Sequence, residues 1–179
     1  MATVDCEIRE PVFRHRCRVV YADTDAGGVV YYAGYLRYFE EARTEFMRAL
    51  GVSCRGLAEQ GFILPVVECH ARYKASAIYD DLLLIKTCLL GVTPRTCRFN
   101  YRVTREGDGK TLVQGYTTHA IVDRQGRLTR FPDEVLTVLV NVHRAPQIAA
   151  IGERLAGGFP CFATHPVNGD IVLLRQDSA

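Results

Sequence analysis

The sequence predicts an α+β fold: one antiparallel sheet of five strands with a single long helix lying across it. Two observations carry this. One apolar stripe of helical period runs from about Tyr32 or Ala33 to Leu50, and every other periodic run is short and strand-like. The later runs are joined by short turn-rich links, which favour antiparallel neighbours.

The first strand is expected at Arg16–Tyr21, where Cys17, Val19 and Tyr21 alternate with Arg16, Arg18 and Val20. It should end in the loop Ala22-Asp23-Thr24-Asp25-Ala26-Gly27-Gly28. In the helix, Tyr35, Phe39, Ala42, Phe46 and Leu50 form the stripe, and Gly51 is a fitting stop. Arg37–Glu41 and Glu45–Arg48 are spaced to pair on its outer side. A further helical turn fits between Gly56 and Gly61. Four strands follow: Leu64–Tyr73, the almost wholly apolar Leu82–Leu90, the alternating Thr96–Thr104, and Thr111–Asp123. Glu106-Gly107-Asp108-Gly109-Lys110 reads as a hairpin turn, and Arg124-Gln125-Gly126 turns the chain again. Pro132 opens a short helix at Asp133–Val140. Beyond it, Gln147–Leu155 reads as a short helix and Ile171–Leu174 as a short apolar run. The expected division is a domain at 1–144 and a C-terminal extension at 145–179. A five-stranded sheet covered on one face keeps open edges, so self-association is expected.

With 179 residues the chain can bury one core without covalent staples. A net charge of +2 is too small to argue for nucleic acid or a membrane surface. The seven cysteines are odd in number, and none are spaced as C-x-x-C. They read as reduced thiols in an intracellular, cytoplasmic protein. The N-terminus has no apolar signal region, and no apolar run approaches the ~20 residues of a membrane span.

The chemistry points to the segment from Tyr21 to Tyr32. Asp25 sits in a glycine-containing loop, and seven residues later the helix begins. A helix N-terminus offers unpaired N–H groups and partial positive charge. A loop folded back over it would place a carboxylate opposite oxyanion donors, as acyl transfer requires. The same residues also suit an Asx-turn or cap, and spacing alone leaves both readings open. Asp80-Asp81, at the entry to a strand, point to opposite faces and read as a turn, not a metal pair. Cys69-His70 are strand neighbours facing opposite ways and make a poor nucleophile–base pair. No G-x-S-x-G, H-E-x-x-H, P-loop or dinucleotide fingerprint is present.

The stretch Asp23-Thr24-Asp25-Ala26-Gly27-Gly28-Val29-Val30-Tyr31 closely resembles the active-site motif of hotdog-fold thioesterases of the 4-hydroxybenzoyl-CoA thioesterase type, which include the Tol-Pal-associated acyl-CoA thioesterases. The resemblance continues through Tyr35–Glu45, resumes at Tyr73–Leu83, and covers roughly residues 13 to 140. It implies a curved sheet wrapped around the helix, a homodimer or homotetramer, and an acyl-CoA substrate. It implies Asp25 as the catalytic carboxylate, nucleophile or general base, and the backbone N–H of Tyr32 as donor to the thioester oxygen. Tol-Pal-associated members usually carry His at this position, and aromatic-CoA members carry Tyr, as here. Asp23 is expected to shape the loop. Arg95, Arg98, Arg124, Arg127 and Arg130 recur at strand tips. Arg95 and Arg130 fall near positions where the aromatic-CoA relatives contact the nucleotide, although a solvated basic edge would look the same. No metal or redox cofactor is expected. The rival readings are a hotdog dehydratase or hydratase acting on acyl thioesters, which would want a His where Tyr32 stands, and a non-catalytic acyl-CoA-binding or envelope-associated scaffold module.

Overall fold

The structure, a computed structural model, describes residues 6–144 and the backbone of two short strands at 162–164 and 171–173. The chain runs β1 (Phe13–Arg18), α1 (Gly34–Ala49), α2 (Cys54–Glu59), β2 (Val66–Tyr73), β3 (Leu82–Val92), β4 (Thr96–Arg105), β5 (Thr111–Ala120), α3 (Asp133–Arg144), β6 (Phe162–Thr164) and β7 (Ile171–Leu173). β1 to β5 form one sheet in the order β1-β3-β4-β5-β2, with every pair antiparallel. β6 and β7 pair with each other. The helix expected at Gln147–Leu155 lies outside the described residues.

The stripe of α1 is the centre of the core. Phe39, Ala42 and Phe46 are fully buried, and Tyr35 and Leu50 nearly so. Phe39 stacks on Tyr101 of β4 with ring centroids 4.3 Å apart, and Phe46 stacks on Phe13 of β1 at 5.5 Å. Rings of this size contribute ~1.5–3 kcal/mol each when buried, which exceeds any helix propensity term. Gly115 of β5 makes the close approach possible. A Cβ there would lie 2.2 Å from the His70 carbonyl oxygen and 2.9 Å from Phe39 Cε2. The third helix, α3, buries Val135, Leu139 and Val142 and packs on β3. It extends four residues past its expected end at Val140.

The first strand departs most from expectation. It starts earlier, at Phe13, and stops at Arg18. Tyr21–Asp23 is a 3-10 turn rather than strand, and Tyr21 is 79% exposed. The cause is local: the Asp23 carboxylate accepts from Val20 N at 3.1 Å, and Asp23 N donates to Val20 O at 3.0 Å. Both bonds close the chain on itself where alternation would have extended it. Asp80-Asp81 form the expected turn. Asp80 has φ 70°, and the Asp81 carboxylate accepts from Ile78 N and from Arg105 Nε.

Candidate active site

The loop after β1 folds into a small hairpin that returns to the start of α1. Thr24 pairs with Val30, Asp25 N donates to Val29 O at 2.9 Å, and Tyr31 N donates to Asp23 O at 2.9 Å. Gly28, with φ 73°, makes the tip, where its N–H donates to Asp25 O at 2.9 Å. The Val30 end is stitched to the body by its N–H to Ala77 O at 2.9 Å. Asp25 is exposed on this hairpin, and one carboxylate oxygen accepts from Gly27 N at 2.8 Å. The Asx-turn leaves room for a catalytic role: it engages one oxygen, and the other accepts no hydrogen bond from the described residues.

The hairpin is anchored by Asp23. Its side chain is 7% exposed, accepts from Tyr38 Oη at 2.7 Å, and pairs with Arg37. Both partners lie on α1, so the expected loop-shaping role of Asp23 is what the geometry gives. Burial, then the bond to Asp23, drives the Tyr38 phenol well above the ordinary range, so it stays a donor at all ordinary pH.

Tyr32 lies two residues before α1, whose first residue is Gly34 rather than Tyr32 or Ala33. A turn closed by Gly34 N to Tyr31 O at 2.8 Å precedes the regular helix. No side chain caps the helix start, and the Tyr32 N–H has no acceptor among the described residues. Its carbonyl accepts from Tyr73 Oη of β2 at 2.9 Å. The Tyr32 side chain is 61% exposed and its ring lies 4.5 Å from that of Tyr31. The Tyr31 phenol is shifted upward, first by the Tyr32 hydroxyl and more weakly by the Asp25 charge. Asp25 and Tyr32 thus sit on one short hairpin-and-turn unit, with Tyr31 between them in sequence and within reach of both.

Arg95 and Arg130 are brought together, but away from Asp25. Arg95 lies in the β3–β4 turn, where its carbonyl accepts from Ile121 N at 3.0 Å, and Phe131 N donates to Pro94 O at 3.0 Å. That corner is the far end of the sheet from the Asp25 hairpin, separated by the 10-residue β4, about 30 Å at strand rise. Arg98 covers the Tyr116 ring at 3.6 Å, Arg124 donates to Glu59 O, and Arg127 pairs with Asp123. The side chains of Arg95 and Arg130 are exposed and have no partner among the described residues.

A cleft of about 440 Å³, not foreseen from the sequence, runs between α1 and β2. Leu36, Arg37, Glu40, Leu64, Val66 and Cys69 line it, together with Arg43, Tyr101, Thr117 and His119. His119 Nδ1 faces the Leu64 carbonyl at 3.2 Å, so it donates. Nε2 then accepts from Thr117 Oγ1 at 2.9 Å, and Thr117 accepts from Tyr101 Oη at 2.7 Å. Burial, then the Arg43 charge, pushes His119 down to about 4. Its signal in the sequence was a lone His in a strand, which more often means nothing.

Among the described residues no group of three His, Cys, Asp or Glu converges as a metal site, and no helix is long and apolar enough to cross a membrane. None of the six described cysteines forms a disulfide with another described residue.

Comparison with known proteins agrees with the geometry. The sequence profile of the thioesterase-like superfamily matches residues 19–139. An acyl-CoA thioesterase of Haemophilus influenzae is 44% identical over 94 residues, 52% of this chain and 69% of that protein. The crystal structure of an Aquifex aeolicus protein of unassigned function is 34% identical, with TM-score 0.67, covering 71% of this chain and 98% of that one. The DHNA-CoA thioesterase of Staphylococcus aureus is 26% identical, with TM-score 0.71, covering 77% and 97%.

Proposed function

The chain belongs to the thioesterase-like superfamily and is a hydrolase of acyl-CoA thioesters; we propose that Asp25 performs the chemistry, with the Tyr32 N–H as oxyanion donor. The observation that carries this reading is that one hairpin-and-turn unit holds both an exposed carboxylate and, just before α1, an uncapped N–H with no acceptor among the described residues. A thioester carbonyl between them would meet a donor at its oxygen and a carboxylate near its carbon.

Two routes share this geometry. In one, Asp25 attacks the carbonyl, thiolate leaves and takes a proton, and water then cleaves the mixed anhydride. In the other, Asp25 removes a proton from water, which attacks directly. Single turnover in heavy-oxygen water together with hydroxylamine trapping separates them. The nucleophilic route gives a trapped acyl adduct, and where water cleaves the anhydride at the Asp25 carbonyl it also leaves an enzyme oxygen in the first product molecule; the general-base route gives a solvent oxygen there and no trapped adduct.

The finer expectations belong with this proposal. β2 is an edge strand of unusual exposure, with Val67 at 59% and Val66 at 53%. We assign this edge to pairing with a second copy, giving a homodimer with a continuous sheet, and pairing of dimers into a homotetramer. Arg95 and Arg130 would then hold the nucleotide phosphates of an acyl-CoA bound at another protomer's Asp25, since their own lies about 30 Å away. The free thiols support a reducing, cytoplasmic setting. Residues 1–144 form the thioesterase domain and 145–179 an extension on it.

The decisive experiment is a thiol-release assay of the purified chain over short, long and aromatic acyl-CoAs. Turnover is expected with at least one class. Tight binding without thiol release across the panel would leave only the non-catalytic acyl-CoA-binding reading.

A further inference from the structure

The turn that leads into α1 is closed by Gly34 N to Tyr31 O at 2.8 Å, so Tyr32 and Ala33 are its two central residues. Ala33 has φ −72° and ψ −20°, and a type II turn would need a positive φ there. The turn is therefore type I, with Tyr32 in the right-handed helical region as well. Consecutive residues in that region aim their N–H groups the same way, as in the first turn of a helix. The N–H groups of Tyr32 and Ala33 both lack an acceptor among the described residues. They form a pair of parallel donors on the unit that carries Asp25.

The peptide between Tyr32 and Ala33 takes no part in the bond that closes the turn. It is held instead by a side chain from another element. Tyr73 Oη donates to the Tyr32 carbonyl at 2.9 Å, and that carbonyl accepts no backbone N–H among the described residues. A trans peptide is planar, with its N–H opposite its C=O, so fixing this carbonyl also fixes the direction of the Ala33 N–H. The phenol comes from a well-tied position. Tyr73 ends β2 opposite Val113 of β5, and the next residue, Lys74, donates its N–H to Leu112 O at 2.7 Å. The Tyr73 ring meets those of Tyr32 and Tyr35 edge-on, at 6.5 and 5.8 Å. Burial, and then the Tyr32 phenol, raises the Tyr73 hydroxyl above its ordinary value, so it keeps the proton it donates. The bond is exposed, and water could hydrate the Tyr32 carbonyl in its place. What the phenol adds is direction.

We propose that Tyr73 is a positioning residue: its hydroxyl locks the middle peptide of the Tyr31–Gly34 turn, so that the Ala33 N–H joins the Tyr32 N–H as a second donor to the thioester oxygen. This rests on the oxyanion reading above. A neutral thioester carbonyl gains little from the second donor, and the oxyanion that develops from it gains more, because bonds to charged acceptors are the stronger ones. The lock therefore acts on turnover rather than on binding.

Tyr73→Phe keeps both ring contacts and deletes only the hydroxyl. On an acyl-CoA that the wild type hydrolyses, the variant is expected to lose about tenfold in kcat, the effect of a misaimed catalytic group. KM should stay within about twofold, because ground-state binding is little changed. Infrared spectra supply a second readout, with an inert ketone analogue of the substrate in which CH₂ replaces the thioester sulfur and the carbonyl carbon is ¹³C. The carbonyl band of the bound analogue should move to higher wavenumber in Tyr73→Phe, as one hydrogen bond to it is lost. A raised KM with kcat intact would make Tyr73 a substrate contact and overturn the proposal. So would an unmoved carbonyl band, or a Tyr73→Phe chain that does not fold, since the hydroxyl would then serve the structure. If Tyr32→Pro turns over at the wild-type rate, the oxyanion reading fails and this role fails with it. A damaged Tyr32→Pro beside an unaffected Tyr73→Phe overturns the role of Tyr73 alone.

Discussion

The Tyr38 hydroxyl donates to the Asp23 carboxylate at 2.7 Å, and this bond ties the Asp25 hairpin to the side of α1. The helix whose start carries the Tyr32 N–H and the loop that carries Asp25 are thereby held as one unit. Removing the hydroxyl with Tyr38→Phe leaves a largely buried carboxylate oxygen with only the Val20 N–H. A loss of ~1–2 kcal/mol of stability follows. A fall of about 10-fold in kcat is expected with it, because a catalytic group misplaced by a fraction of an ångström loses near-attack geometry. Urea unfolding and steady-state kinetics on the same preparation check both; a stability loss with kcat intact would confine the bond to structure.

Asp25→Asn should fold normally and lose most turnover. The side chain is exposed, and the amide oxygen can still accept from Gly27 N, so stability should stay within about 0.5 kcal/mol of wild type. Loss of a base or nucleophile lowers kcat by roughly 10²- to 10⁴-fold or more. A folded Asp25→Asn protein turning over at near wild-type rate removes Asp25 from the mechanism.

Tyr32→Phe should be mild and Tyr32→Pro severe. Phe keeps the backbone N–H, whereas Pro deletes it, and an oxyanion donor is worth about 10²- to 10³-fold in kcat. The Tyr32 N–H bonds no carbonyl among the described residues, so its removal breaks no helix ladder. Circular dichroism confirms the fold of Tyr32→Pro before its kinetics are read. Equal damage from Phe and Pro would transfer the role to the phenol.

Arg95→Ala and Arg130→Ala should raise KM for acyl-CoA and leave kcat nearly unchanged, since remote phosphate contacts stabilise ground and transition states alike. The effect should shrink with salt, because exposed charges are screened over roughly 10 Å at 0.1 M. It should vanish with an N-acetylcysteamine thioester, which has no nucleotide. Equal losses on the two substrates would mean that the arginines support an interface.

His119 should make the protein less stable in acid. Its folded value is depressed to about 4 from 6.5, so between these values the unfolded chain binds a proton that the native ring refuses. Its contribution is complete above pH 6.5 and is lost as pH falls toward 4, up to ~3 kcal/mol. His119→Gln can keep both hydrogen bonds and does not titrate. Denaturant midpoints from pH 7.5 to 4 should therefore fall less steeply in His119→Gln than in wild type; parallel curves would remove His119 as the cause.

Much of the molecule is decided by short-range pattern. The five-residue stripe of α1 and the alternation of β4 need only the side-chain periods of helix and strand, and both elements formed where those periods placed them. Antiparallel pairing followed from link length, and the motif around Asp25 was legible because glycine and aspartate in that order constrain a loop. Other features depend on contacts between residues far apart in the chain. The end of β1 at Arg18 is set by Asp23, whose carboxylate is held by α1; alternation alone continued the strand to Tyr21. Nothing in the sequence marked Arg43 as buried; it lines the cleft with Tyr101, Thr117 and His119, which come from two other strands. Whether a charge is solvated or buried without a counter-ion depends on which elements close over it, and only the packed sheet determines that.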